Sequence, residues 1–204
     1  NTIAMFTEAH HANWQPLVWL SHSLDFYIFG MDAGKHHLVN LIFHVTNALL
    51  VYFLAIALMM RTAKFNLQDK QWVAFFTATI FAIHPQHVES VAWVVERKDV
   101  LYSLFSLSSL LAYLHLHTCE DRKTWIRILP FLLFVLSIMS KPMAVVLPIV
   151  LLILDFYPLN RCKLTFSALS SAIMEKWHYF AIAVCAMLVT LTTQEMAMPT
   201  AEQL

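Results

Sequence analysis

Glycine is almost missing from this chain, two in 204 residues, and charged side chains make up only 13%. So little glycine excludes a Gly-rich phosphate loop and argues against a sheet-rich barrel, whose tight turns depend on it. No GxSxG elbow and no CxxC pair occurs. Of three cysteines, Cys119 and Cys162 fall in polar loops and Cys185 lies inside an apolar run, leaving no pair suited to a disulfide. The formal net charge is zero, which removes the electrostatic case for nucleic acid as a partner. The chain opens without methionine or a basic leader and reads as a cut end.

What is abundant is apolar: 59% of residues are hydrophobic, far too many for one soluble core. The expected fold class is all-α, a polytopic helical membrane protein with about six spans. These fall at residues 37–60, 71–83, 100–117, 125–140, 143–157 and 177–193, the second short unless it begins inside the preceding loop. Ahead of them, residues 15–29 predict a helix lying on the bilayer interface and ended by Gly30, because His22, Asp25 and Asp32 interrupt the aromatics too often for a span. The expected organisation is an outer first-loop remainder at 1–36, a bundle at 37–195 and an outer tail at 196–204.

Lysine and arginine set the orientation. Alternate loops put nine on one side (Arg61, Lys64, Lys70, Arg122, Lys123, Arg127, Arg161, Lys163, Lys176) and four on the other (Lys35, Arg97, Lys98, Lys141). The nine-residue side is expected to be cytoplasmic. His10, His11, His22, His36, His37, His84 and His87 then lie outside, so chemistry is expected there.

The chain is organised around residues 84–101, HPQHVESVAWVVERKDVL, which crowd two histidines, two glutamates, an arginine, a lysine and an aspartate between apolar segments. Charges in hydrocarbon cost at least about 2.5 kcal/mol each, so such a cluster is paired, solvated or functional. A helix started by Pro85 would place Glu89, Ala92, Glu96 and Asp99 on one face, with Ser90, Trp93 and Arg97 beside them. A solvated charge run on a short interfacial helix remains the plainer reading. In the first span His37, Asn40, His44 and Asn47 form one polar stripe, suited either to interhelical hydrogen bonds or to lining a cavity. His84 and His87 with Glu89 could be drawn as metal ligands, but two histidines at i, i+3 beside a proline are a weak signal without a third ligand of known position.

Four strings carry a resemblance: NWQPLVWLSHSLDFYIFG, HHLVNLIFHVTNALL, HPQHVESVAWVVERKDVLYSLF and SKPMAVVLPIVLLILDFYPL. In order and spacing, over roughly residues 13–160, they resemble the membrane domain of the transmembrane and tetratricopeptide-repeat (TMTC) proteins. These are similar in turn to protein O-mannosyltransferases and other GT-C glycosyltransferases. The resemblance implies a multispan enzyme that moves a sugar, typically mannose from dolichyl-phosphate mannose, onto Ser or Thr of a protein on the outer side. Its partners would be the bilayer, the polyprenyl-phosphate sugar and the acceptor protein. It would sit in the endoplasmic reticulum membrane of a eukaryote or the inner membrane of a bacterium, with metal dependence open.

In such enzymes an Arg and an Asp after the third span serve near the donor, and Arg97 and Asp99 match that position. The implied roles are Asp99, Glu96 and Glu89 as catalytic carboxylates, and Arg97, Lys141 and Lys98 as contacts to the donor phosphate. His37, Asn40, His44, His84 and His87 would line the cavity. The family's first-loop carboxylate falls before this chain begins, Glu8 does not match its motif, and no 34-residue repeat follows. The expectation is a fragment inactive alone. Two other classes stay open: a lipid-binding or transporter-like scaffold, and a structural membrane subunit whose outer charges bind a partner.

Overall fold

A computed structural model describes residues 14–61, 65–118, 123–162 and 165–197. Glu8, His10, His11, Lys64, Cys119, Arg122, Lys163 and the tail beyond 197 lie outside the described residues. Every regular element among the described residues is helical.

Helix α1, Pro16–Phe29, takes Pro16 in its first turn, where the missing N–H costs nothing, and stops at Gly30, whose φ of 64° closes the C-terminus. Helix α2, Ala33–Met59, begins where the Asp32 side chain accepts from the Lys35 N–H at 3.2 Å. Helix α3, Leu67–Ile83, is capped the same way by Asn66, which accepts from the Asp69 N–H at 2.8 Å. The second apolar segment therefore does begin inside the loop. Its 17 residues reach about 25 Å, short of the roughly 30 Å hydrocarbon layer.

The single helix expected from Pro85 does not form. Short helix α4, His87–Ala92, ends at Trp93, whose backbone is extended (φ −90°, ψ 118°). A 3-10 turn at Val94–Glu96 follows, and then helix α5, Arg97–Leu116. The Trp93 carbonyl accepts the Glu96 N–H at 3.1 Å in the 3-10 turn and the Asn40 side chain of α2 at 3.2 Å, so a contact from α2 accompanies the break. Glu89 and Asp99 therefore do not share a helix face.

Helix α6, Thr124–Ser140, is followed by an extended Lys141, a 3-10 turn at Pro142–Val146 and helix α7, Leu147–Phe156. Helix α8, Phe166–Glu175, meets helix α9, Trp177–Ala197, at a bend of 70°. All six expected spans are helical, yet only Ala33–Met59 and Val94–Leu116 are long and apolar enough to cross a bilayer alone. The bent α8–α9 pair makes a third if it counts as one span.

The most extensive packing joins α5 to α6, then α2 to α3 and α5. Small polar residues allow the α5–α6 approach: Ser106 meets Ser137 at 2.6 Å and Ser109 donates to the Pro130 carbonyl at 2.8 Å. The apolar core lies beside this seam, where Tyr113, Phe134, Leu147, Leu151 and Tyr179 are buried. Helix α5 thus runs through the middle and carries a polar cluster at each end.

Candidate functional site

At the start of α5, Arg97 has no exposed surface. Its Nε donates to Asn40 Oδ1 at 2.7 Å, Nη1 to Ser21 Oγ at 3.2 Å and Nη2 to the His36 carbonyl at 3.0 Å. Nη1 also lies 2.5 Å from Asp25 Oδ2, a carboxylate 7% exposed on α1. The same oxygen is 3.3 Å from His36 Nδ1, whose other ring nitrogen faces the Gly30 carbonyl at 3.0 Å. This guanidinium ties α1, α2 and α5 together. Burial, with Arg97 second, holds the neighbouring His22 imidazole down at about 4.

Two more charge pairs stand nearer the surface. Lys141, from the extended link after α6, closes on Asp99 Oδ1, and Ser90 donates to Asp99 Oδ2 at 3.3 Å. Lys98 and Glu96 pair at 2.9 Å. The side chains of Asp99 and Lys141 keep 28% and 23% of their surface in solvent, so a ligand reaches this pair and not Arg97.

The polar stripe of α2 divides. Asn40, His44 and Asn47 are buried and reach the backbone carbonyls of Trp93, Ala82 and Val100 at 3.2, 2.9 and 2.9 Å. The interhelical reading therefore holds for these three. His37 is exposed, and its neighbour His36 turns inward instead. His44, His84 and His87 line an open groove of about 330 Å³ with Leu41, Ile83, Val88 and Val91. Burial, with His44 and His84 nearby, holds His87 below the usual imidazole range. Among the described residues no three His, Cys, Asp or Glu side chains gather to hold a metal ion. Glu89 is exposed on α4 and its side chain makes no ion pair or hydrogen bond among the described residues.

Asp25 is the residue the sequence reading missed, having counted it only as an interruption of an apolar helix. The signal was there: an acid inside LVWLSHSLDFYIF needs a buried cation or costs several kcal/mol, on the order of the price of any unpaired charge.

Fold and charged ends together define an all-α helical membrane protein. No family model and no solved structure matches the chain. Among curated proteins, protein O-mannosyl-transferase TMTC2 of Mus musculus is 37% identical over 119 residues, 56% of this chain and 13% of its own length. Protein O-mannosyl-transferase TMTC1 of Homo sapiens is 34% identical over 109 residues, 53% of this chain and 12% of its own. A protein O-mannosyl-transferase of Caenorhabditis elegans is 28% identical over 156 residues, 76% and 21%. The chain is thus similar to the membrane region of TMTC proteins, as its four strings implied, and spans between a tenth and about a fifth of the length of these relatives.

Proposed function

We propose that this chain forms part of a membrane glycosyltransferase that moves a sugar, mannose, from a polyprenyl-phosphate donor to Ser or Thr of proteins on the outer face. The observation that supports this most is the accessible Asp99–Lys141 pair, held beside Lys98 and Glu96 in the stretch that resembles the TMTC donor region. An ammonium at a membrane rim binds phosphate as a compact charge, and a departing lipid phosphate needs such a partner as negative charge develops on it. Asp99 orients Lys141 until the phosphate arrives, and Lys98 offers a second cation. Arg97, buried under four partners, is a positioning residue that fixes the first turn of α5 and so the place of Asp99.

A second reading, a lipid-binding scaffold without transfer chemistry, draws on the fact that Asp99 and Glu96 are already closed on lysines. The experiment assays the full-length protein in membranes for transfer of labelled mannose from polyprenyl-phosphate mannose to protein, comparing Lys141→Ala, Asp99→Asn and wild type. Expression and trypsin resistance are checked alongside. Folded variants are expected to lose transfer by about 100-fold, which is about 2.7 kcal/mol of transition-state stabilisation. Folded variants with normal transfer would remove the site assignment, and a wild type inert with every donor tried would put the scaffold ahead.

A further inference from the structure

The far end of α5 carries a second polar cluster that the proposed transfer chemistry does not use. Asp155, at the end of α7, is 1% exposed, and three donors share its carboxylate. Tyr113 Oη donates at 2.7 Å, Arg161 Nη1 lies at 2.9 Å, and the buried Lys176 Nζ closes on the other oxygen. The Asp155 charge is therefore fully answered within the protein. Arg161 Nη2 reaches past it to Glu175 at 3.0 and 3.3 Å, a carboxylate whose side chain is 51% exposed. Arg161 Nη1 also donates to His117 Nε2 at 3.2 Å, and burial together with Arg161 holds that imidazole down at about 4, so it is neutral and able to accept.

A cavity of about 320 Å³ opens over this cluster, lined by Tyr113, His117, Arg127, Arg161, Glu175 and Lys176 among others. Three cations face two carboxylates there, counting the Asp155 that Lys176 and Arg161 hold. Arg127, on the first turn of α6, has no ion pair or hydrogen bond among the described residues. Arg161 and Lys176 balance Asp155 and Glu175, so Arg127 is the uncompensated cation among the described residues of this lining, and a guanidinium so placed suits a phosphate, which it grips through parallel N–H bonds. Two features point to a lipid as the carrier of that phosphate. Trp125 and Trp177, 60% and 64% exposed, stand at the starts of α6 and α9, two residues from Arg127 and next to Lys176 in the chain, and exposed tryptophans of a membrane protein favour head-group depth. Ile128, next to Arg127 in the chain, and Leu169 and Ile173 on α8 also expose apolar surface that acyl chains could cover.

We propose that this cavity binds the phosphate-bearing head group of an anionic lipid from the leaflet at the basic end of the bundle. Arg127 makes the first contact. Arg161 offers its outer edge once Glu175, which competes for it, swings into solvent. The inference stands apart from the proposed transfer reaction, which uses the opposite end of α5.

The test uses the full-length protein in a neutral detergent. Melting temperature is followed against added phosphatidic acid, phosphatidylcholine or inorganic phosphate, for wild type, Arg127→Ala, Glu175→Gln and the far-end control Lys35→Ala. Phosphatidic acid is expected to raise the melting temperature saturably and phosphatidylcholine not to. Arg127→Ala, melting like wild type without lipid, is expected to weaken the response at least about tenfold, the usual size for one charge-assisted pair. Glu175→Gln is expected to strengthen the response by freeing Arg161, and Lys35→Ala to leave it unchanged. A normal phosphatidic acid response in Arg127→Ala overturns the proposal, as does an equal response to phosphatidylcholine. An equal shift from inorganic phosphate at the same concentration overturns the lipid as carrier. If Arg127→Ala melts lower on its own, Glu175→Gln decides, and an unchanged or weaker response there overturns the proposal.

Discussion

Replacing Asp25 by asparagine keeps the shape of the side chain and removes its charge, so it isolates what the buried pair with Arg97 contributes. The guanidinium keeps its bonds to Asn40, Ser21 and the His36 carbonyl, all of them neutral. It loses the only carboxylate that touches it among the described residues, in a place where neither side chain is more than 7% exposed. Breaking a buried pair from one side costs about 3–5 kcal/mol, and the three surviving hydrogen bonds put Asp25→Asn at the lower end. For a chain of this size, about 3 kcal/mol lowers the melting temperature by roughly 6–12 °C. The assay is thermal unfolding of the full-length protein in detergent, with Arg97→Met and the double variant Asp25→Asn/Arg97→Met beside it. The double variant is expected to be less damaged than the sum of its singles by at least about 1.5 kcal/mol, since it leaves no unpaired charge. Additive losses, or an Asp25→Asn protein that melts within about 1 °C of wild type, would refute the reasoning.

The asparagines of α2 should differ in weight. Asn47 makes one bond, to the Val100 carbonyl, so Asn47→Leu is expected to cost about 0.6–1.7 kcal/mol in the same melt. Asn40 serves Arg97 and Trp93 at once, and Asn40→Leu is expected to cost clearly more, with the order reversed if the Trp93 break is set by other contacts. Stability should fall as pH drops from about 6.5 toward about 4, because His22 and His117 resist protonation in the folded protein while the unfolded chain takes up protons near the ordinary value of 6.5. His22→Asn should flatten part of that fall in a series of melts. An unchanged slope would remove His22 from the account.

How much could be read in advance varied with the kind of signal. Apolar runs, and Gly30 as the stop of the first helix, gave helix positions to within about four residues, because such runs and stops are local properties; the Asp32 and Asn66 caps that start α2 and α3 earlier than expected were not read. The α2 stripe showed that Asn40, His44 and Asn47 share a face, and that face is buried. What no local pattern carried was the break at Trp93, where an asparagine 53 residues away donates to the carbonyl. Periodicity assumes a continuous helix, and the Glu89–Asp99 face vanished with that assumption. Asp25 was hidden for the same reason, as its partner lies on α5.

Arg97 and Asp99 stand two residues apart on the first turn of α5, and two residues on a helix turn by about 200°. They therefore face opposite ways: Arg97 inward to α1 and α2, Asp99 outward to Lys141. From sequence, Arg97 reads as a donor-phosphate contact and Asp99 as a catalytic carboxylate, two roles placed in one site, whereas the two side chains stand in different environments. The geometry separates them by the experiment that would notice each. A change at Arg97 acts through the position of α5 and should lower stability and transfer together. A change at Lys141 or Asp99, a partly exposed pair worth about 1 kcal/mol or less to the fold, should lower transfer while the melt stays near wild type. The ratio of the two losses, measured on the same preparations, distinguishes a residue that builds the site from one that a donor phosphate would touch.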